Sequence, residues 1–94
     1  MQVRWTIPAA QDLEEITLYI RGDSEAAALA VAKALFDAAN SLGLLPSRGR
    51  VGRIPGTREL LVPGLPYIVL YEIADTAVQI LHIYHGARDR PGER

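Results

Sequence analysis

Two apolar, β-rich segments near the C-terminus are separated by only three residues, and this spacing constrains the fold more than any other feature of the chain. The first segment, residues 67–73, is rich in the β-branched and aromatic residues that favour strands. The second, residues 77–84, follows a short loop, so the two segments should form an antiparallel hairpin. Because the second segment is apolar on both faces, we expect it inside a sheet rather than at an edge.

Two helices are predicted before these strands. After a short first strand, Thr6 can cap a helix that carries Pro8 in its first turn, where the missing N–H costs nothing. Apolar residues recur at helical spacing up to Gly22, which ends this helix. Asp23 or Ser24 begins a second, alanine-rich helix, whose small side chains allow close approach to the first. The two helices should form an antiparallel hairpin.

The segment between the helices and the C-terminal strands is predicted to be a loop. Gly43 and Pro46 end the second helix, and glycines and prolines interrupt residues 47–56. A further strand is expected at residues 58–62. The resulting order is strand, helix, helix, strand, strand, strand. We therefore predict an α+β fold, in which an N-terminal strand and an antiparallel helix hairpin precede a three-stranded antiparallel meander.

Composition sets further limits. The chain has 94 residues with 49% hydrophobic content, which suits one domain over residues 1–94 with a flexible tail at residues 89–94. Cysteine is absent, which excludes disulfides and thiolate metal sites. The two histidines lack paired carboxylates, and no glycine-rich loop matches a nucleotide site, so we expect no metal, no cofactor and no small-molecule ligand. Without a membrane-length apolar run or a signal peptide, the chain is expected to be cytoplasmic and without membrane contact.

Charge is distributed unevenly, although the net charge is only −1. The N-terminal half carries three basic and six acidic side chains, whereas the half that begins at Arg48 carries seven arginines and five acidic side chains. No acidic residue lies between Arg48 and Arg58. Arg50, Arg53 and Arg58 are therefore a candidate surface for an anion or an acidic partner. The alternative is that Arg58 and Glu59 belong to cross-strand ion pairs.

Three segments that together span nearly the whole chain carry a recognisable pattern. They are Trp5-Thr6 with Ala9, Asp12-Leu13, Ile16 and Tyr19-Ile20; residues 49–60 with residues 66–71; and Ile80-Leu81 with residues 85–89. In this order and at these spacings they resemble the RelE/ParE superfamily, the toxins of bacterial type II toxin–antitoxin pairs. The resemblance implies the same β-α-α-β-β-β order as the prediction above.

The superfamily includes two different activities, and the fold alone does not choose between them. RelE-like members are ribosome-dependent mRNA endonucleases that cleave without a metal, by in-line attack of a 2′-hydroxyl. ParE-like members bind and poison DNA gyrase and have no known hydrolytic site. An inactive toxin relic that only binds its antitoxin is a third possibility.

A nuclease would need a base, an acid and a group that stabilises charge on the phosphorane. His82 and Tyr84 alternate onto one face of the last strand, and His85 and Arg88 follow at its end. Together with Arg58 they are the catalytic candidates, because histidine titrates near neutral pH and arginine can clamp a phosphate. The alternative gives His82 and Tyr84 a structural role.

Ile68 departs from the nuclease pattern. RelE-like nucleases typically carry an arginine just after the aromatic residue that Tyr67 matches, and this chain has isoleucine there. Lysines that some of these nucleases carry on and after the second helix are also absent, since Lys33 is the only lysine. We therefore favour the ParE-like interpretation, in which no residue does chemistry. The candidates for contact with the target or the antitoxin are Arg50, Arg53, Arg58, Arg88, Asp89 and Arg90.

A toxin of this kind must be held inactive by a partner. The resemblance implies a tight hetero-complex with an antitoxin, encoded by a small neighbouring gene, which wraps an extended and often acidic segment around the toxin. DNA gyrase is the expected target, and the ribosome with its mRNA is the alternative.

Overall fold

A computed structural model of the chain describes residues 1–88, in which two helices and five strands form. In chain order the elements are β1 (Gln2–Trp5), α1 (Ile7–Arg21), α2 (Glu25–Ser41), β2 (Arg50–Val51), β3 (Arg58–Leu61), β4 (Tyr67–Ala74) and β5 (Ala77–His85). This order confirms the predicted α+β fold, with a helix hairpin between the first strand and the C-terminal strands.

All the strands belong to one sheet, in the order β1-β5-β4-β3-β2. The predicted antiparallel meander is formed by β3, β4 and β5, and β5 has a neighbour on each side, as expected for a strand that is apolar on both faces. The sheet as a whole is mixed, because β1 lies parallel to β5. This pairing joins the two ends of the chain, so local sequence patterns do not reveal it.

The predicted loop 47–56 contains a short strand that the sequence analysis missed. β2 has only two residues and pairs antiparallel with the start of β3, with Arg50 opposite Glu59 and Val51 opposite Arg58. A two-residue strand has no periodicity of its own. It forms because the N–H and C=O groups on the outer edge of β3 can form hydrogen bonds with the segment that lies beside it.

The helix starts agree with the prediction. The Thr6 side chain accepts a hydrogen bond from the N–H of Ala9, and Ser24, rather than Asp23, accepts from the N–H of Ala27. α2 ends at Ser41, just before the predicted stop signals. Within residues 1–88, neither helix has the length and apolar content needed to cross a membrane.

The two faces of the sheet are covered differently. The helix-covered face carries the main core, whose largest fully buried side chains are Tyr71, Leu35, Leu42, Ile80, Val69 and Val78. The opposite face, which we call the open face, carries a smaller buried cluster of Ile68, Leu70 and Tyr84. The polar residues predicted to be functional are therefore divided between two surfaces.

Candidate binding surface and acid–base residues

His82 lies at a β-bulge in β5, where its ring contacts the first helix. β5 carries one extra residue opposite the step from Leu70 to Tyr71. The Nδ1 atom of His82 lies 2.8 Å from Oδ2 of Asp12, and the same oxygen accepts the backbone N–H of Ile83 at 3.0 Å. Asp12 thus provides a partner for the irregular backbone of the bulge and orients the imidazole. The arrangement ties α1 to the edge of β5.

Tyr84 is part of a buried apolar cluster rather than a solvent-facing site. Its side chain is 8% exposed and packs with Ile68 and Leu70, and Ile54 and Leu81 contact this cluster from its margin. Ile68 lies directly opposite Tyr84 in the sheet and is 5% exposed. Ile68 stands at the position where RelE-like nucleases carry an arginine, and it thus lies in the middle of an apolar cluster.

His85 and Arg88 lie on the helix-covered side, away from His82. Side chains alternate along a strand, and His85 meets the edge of the Tyr67 ring, with 5.7 Å between the ring centroids. Its Nδ1 atom accepts the N–H of Ala87. The guanidinium of Arg88 lies over the ring of Tyr19 in α1, 5.8 Å from the ring centre. The two histidines therefore do not form one acid–base site.

Glu59 is a buried carboxylate on the open face, with a side-chain exposure of only 3%. One oxygen accepts from the Arg50 guanidinium and the other from the backbone N–H of Arg53, each at 3.0 Å. Burial alone would raise the pKa of this carboxyl. The hydrogen bonds from Arg53 and Arg50, with the positive charge of both residues, outweigh burial and lower the pKa below 4.5. Glu59 thus ties the segment after β2 to β3.

Arg58 points to the opposite face from Arg50. Arg50 lies opposite Glu59 in the sheet, and Arg58, the neighbour of Glu59 on β3, alternates to the other face. Its guanidinium donates to the carbonyl of Gly49 at 2.7 Å. The buried hydroxyl of Tyr71 holds the same turn, since it donates to the carbonyl of Pro46 and accepts the N–H of Gly49. Of the cross-strand ion pairs considered as the alternative for Arg58 and Glu59, the one at Glu59 forms, with Arg50 on β2. Arg58 stabilises a turn instead.

The turn held by Tyr71 displays apolar side chains that the sequence analysis treated only as the end of a helix. Leu44 is 89% exposed, Leu45 60% and Val51 79%. Leu44, Leu45 and the residues up to Arg48 line an open concavity of about 330 Å³. Arg48 donates to the hydroxyl of Ser41 and remains exposed. We call Leu44, Leu45, Arg48 and Val51 the edge surface, whereas Arg50 points to the open face with Glu59.

The structure therefore brings together only some of the predicted binding residues. Arg50 and Arg53 meet at Glu59, whereas Arg58 and Arg88 make separate contacts on the helix-covered side. The predicted contact residues Asp89 and Arg90 lie outside the described residues.

The residues that organise these sites carried weak sequence signals. Nothing in the sequence around Asp12 or Glu59 distinguishes a carboxylate with a structural role from an exposed one. Tyr71 is one of several aromatic and β-branched residues in its strand, and its buried hydroxyl is the feature that matters. The unusual run of two leucines before Pro46 was a usable signal for an exposed apolar patch.

Comparison with known proteins places the whole fold in one group. Residues 3–90 match the family model described as the ParE toxin of type II toxin–antitoxin systems, parDE. The chain is 39% identical to toxin Y4kP of Sinorhizobium fredii over 90 residues, which cover 96% of this chain and 93% of the relative. It is 41% identical to toxin RelE2 of Caulobacter vibrioides over 87 residues, which cover 93% and 97% of the two chains.

Solved structures give the same result. A chain of the chromosomal ParDE system from P. aeruginosa superposes with a TM-score of 0.81 and 26% identity, over 90% of this chain and 95% of that one. A chain of the RelBE2 toxin–antitoxin complex from Mycobacterium tuberculosis superposes with a TM-score of 0.55 and 28% identity, over 89% and 88% of the two chains. The family match covers nearly all of the sequence, and the helix hairpin and sheet agree with it. The chain belongs to the ParE toxin family of type II toxin–antitoxin systems.

Proposed function

We propose that this toxin acts by binding DNA gyrase and stalling it after DNA cleavage, without cutting nucleic acid itself. The match to the family model of the ParE toxin supports this target. The proposal also includes a cognate antitoxin that holds the toxin inactive. Its support is that the two similar structures are described as a ParDE toxin–antitoxin system and a RelBE2 toxin–antitoxin complex.

The observation that carries the proposal is the separation of the acid–base candidates. General acid–base cleavage of RNA needs a base, an acid and a cation within hydrogen-bond reach of one phosphate. Here His82 is paired with Asp12, Tyr84 is buried beside Ile68, and His85 lies on the other side of the sheet. A phosphate held at His82 would meet an apolar cluster where the nuclease pattern has an arginine.

Cationic residues on the surface are proposed to contact the target. Arg50 is 62% exposed even though it binds Glu59, and Arg88 is also exposed. Arg53, Asp89 and Arg90 remain candidates on sequence grounds. Arg58 is the weakest candidate, because its guanidinium is engaged with the carbonyl of Gly49.

The deciding experiment adds the purified toxin to a gyrase supercoiling reaction and to a translating ribosome reaction. We expect cleaved DNA to accumulate while mRNA stays intact. The double variant His82→Ala with His85→Ala should inhibit gyrase as well as the wild type does, whereas Arg88→Ala should inhibit it less. Codon-positioned mRNA cuts that disappear in the histidine variant would replace this proposal with ribosome-dependent cleavage. A protein that binds its antitoxin but inhibits neither gyrase nor translation would be an inactive relic.

A further inference from the structure

We infer that Tyr19 is a positioning residue, which holds the guanidinium of Arg88 ready for a carboxylate on the surface of gyrase. The inference rests on the proposed function, in which Arg88 contacts this target. It adds a residue of α1 to that contact and names the chemical group that Arg88 meets.

The first helix follows the second half of β5 and contacts the chain there in three places. Two of these contacts are hydrogen bonds: the N-cap residue of α1 donates to the carbonyl of Ile80, and Asp12 accepts the N–H of Ile83. The third contact, between Tyr19 and Arg88, lies beyond the last residue of β5 and joins two exposed side chains. An exposed contact between a cation and an aromatic ring is weak. The fold therefore does not depend on this third contact.

Three hydrogen bonds fix the turn that carries Arg88. Gly86 donates its N–H to the carbonyl of Pro66 at 2.8 Å. Arg88 donates its N–H to the carbonyl of His85 at 3.1 Å, and the ring of His85 accepts the N–H of Ala87 at 3.2 Å. Because the backbone is held, the position of the Arg88 guanidinium depends on what its side chain rests against, which is a ring of α1.

The Tyr19 ring holds the Arg88 guanidinium without neutralising its charge. The guanidinium carbon lies 5.8 Å from the ring centre, within the range of cation–π attraction. Among residues 1–88, no carboxylate forms an ion pair with Arg88. The positive charge and the side-chain N–H groups therefore stay available to a partner. A carboxylate suits them, because its two oxygens accept two guanidinium N–H groups side by side.

The surroundings of this pair favour a carboxylate of a protein over the phosphates of DNA. α1 carries three acidic side chains and one arginine, and the whole chain has a net charge of −1. DNA presents a continuous row of phosphates, which such a helix repels, whereas a single carboxylate needs only one cation. Tyrosine and arginine are also the residue types on which contacts between proteins most depend. Tyr19 and Arg88 therefore suit a small contact with an acidic residue of gyrase.

The test measures the toxin concentration that half-inhibits gyrase supercoiling, together with binding of each toxin variant to gyrase without DNA. Tyr19→Leu removes the ring, Tyr19→Phe keeps it, and Arg88→Ala removes the cation. A double variant combines Tyr19→Leu with Arg88→Ala. The matched controls are Arg21→Ala, an exposed cation at the end of α1, and Phe36→Leu, a half-exposed aromatic residue of α2. Urea denaturation checks that each variant folds.

We expect Arg88→Ala to raise the half-inhibitory concentration about tenfold and Tyr19→Leu about threefold, with matching losses of binding to gyrase. Tyr19→Phe and both controls should stay within about twofold of the wild type, because Tyr19→Phe keeps the ring. Since Tyr19 acts through Arg88, Tyr19→Leu should have no further effect once Arg88→Ala is present.

Four results would overturn the inference. If Tyr19→Leu inhibits gyrase as well as the wild type does, the proposed function stands and the role of Tyr19 is wrong. The same holds if Tyr19→Phe loses as much as Tyr19→Leu, or if Tyr19→Leu causes an equal loss with and without Arg88. Losses that appear in supercoiling but not in binding to gyrase alone would assign Arg88 to DNA. A wild type that does not inhibit gyrase would instead end the proposed function, and the inference with it.

Discussion

The two outer edges of the sheet are finished in different ways. On one side, β1 pairs with the first part of β5, and α1 then covers the rest of that strand. Thr6 donates its N–H and its hydroxyl to the carbonyl of Ile80, and Asp12 accepts the N–H of Ile83. On the other side, β2 ends after two residues, and the backbone of Val51 is left facing outward.

The difference separates two tasks that an edge strand can have. An uncovered edge invites pairing with other chains, and proteins usually block it. The β5 edge is blocked by groups of the chain itself. The β2 edge is instead held rigid from behind by Tyr71, Arg58 and Glu59 while its outer side stays accessible. The first edge is closed by the chain itself, and the second keeps backbone groups exposed on a turn that is held in place from behind.

The largest effect should come from filling the space behind the β2 edge. A Cβ at Gly49 would lie 2.7 Å from the buried Tyr71 ring and 2.9 Å from the carbonyl oxygen of Glu59. Neither group can move without disturbing the sheet, so Gly49→Ala should lower the free energy of unfolding by about 3 kcal/mol. Urea denaturation measures this. Gly22→Ala is the control, because Gly22 has helical dihedral angles and a single contact at 3.3 Å, and it should be neutral or slightly stabilising.

The hydroxyl of Tyr71 tests whether the turn is held from behind. Tyr71→Phe keeps the ring in the core and removes the partner of both the Pro46 carbonyl and the Gly49 N–H. Leaving buried polar groups without partners costs about 2 kcal/mol here. Urea denaturation measures this loss. Tyr19→Phe, at an exposed tyrosine, should leave the unfolding free energy unchanged, and an equal loss in both variants would contradict this role for Tyr71.

The fold was predictable because it depends on local patterns. Alternation and turn spacing gave the hairpin of β4 and β5, and the capping residues Thr6 and Ser24 fixed the helix starts. Pairing that joins distant segments was not predictable in this way. The parallel pairing of β1 with β5 and the two-residue β2 depend on the assembled sheet, which no short window of sequence describes.

The site residues were harder to predict, because their role depends on the face to which each side chain points as well as on its position in the chain. The sequence placed His82 and His85 three residues apart near the end of one strand, and alternation of side chains along that strand sends them to opposite sides. Arg50 and Arg58 were grouped by proximity in the chain, and the sheet separates them in the same way. Glu59 became the centre of the arginine cluster only through the register between β2 and β3.

A smaller effect is expected at the opposite edge, and it bears directly on the separation of tasks. Asp12→Ala removes the acceptor for the Ile83 N–H and for His82. Asp12 is partly exposed, so water can replace it in part, and we expect a loss of about 1 kcal/mol in unfolding free energy. Urea denaturation measures this loss as well. If Asp12→Ala lowers the unfolding free energy as much as Tyr71→Phe does, the two edges are held equally firmly and the comparison above is wrong.

The smallest effect concerns pH. The folded pKa of Glu59 lies below its ordinary value of 4.5, because the hydrogen bonds from Arg53 and Arg50 outweigh burial. A carboxyl of this kind stabilises the folded state above its unfolded pKa, and that contribution is lost as the pH falls through the folded value.

Unfolding free energies measured at neutral pH and at successively lower pH should therefore fall more steeply for the wild type than for Glu59→Gln. The glutamine can still accept the Arg53 N–H but has no charge to lose, and Arg50 is exposed enough for water to replace its bond. The cost of the substitution at neutral pH should accordingly stay under about 1 kcal/mol. Glu72→Gln, at a partly exposed carboxylate of β4, serves as the matched loss of a carboxylate elsewhere in the sheet. Identical pH curves for the wild type and Glu59→Gln would mean that the charge of Glu59 does not stabilise the β2 edge.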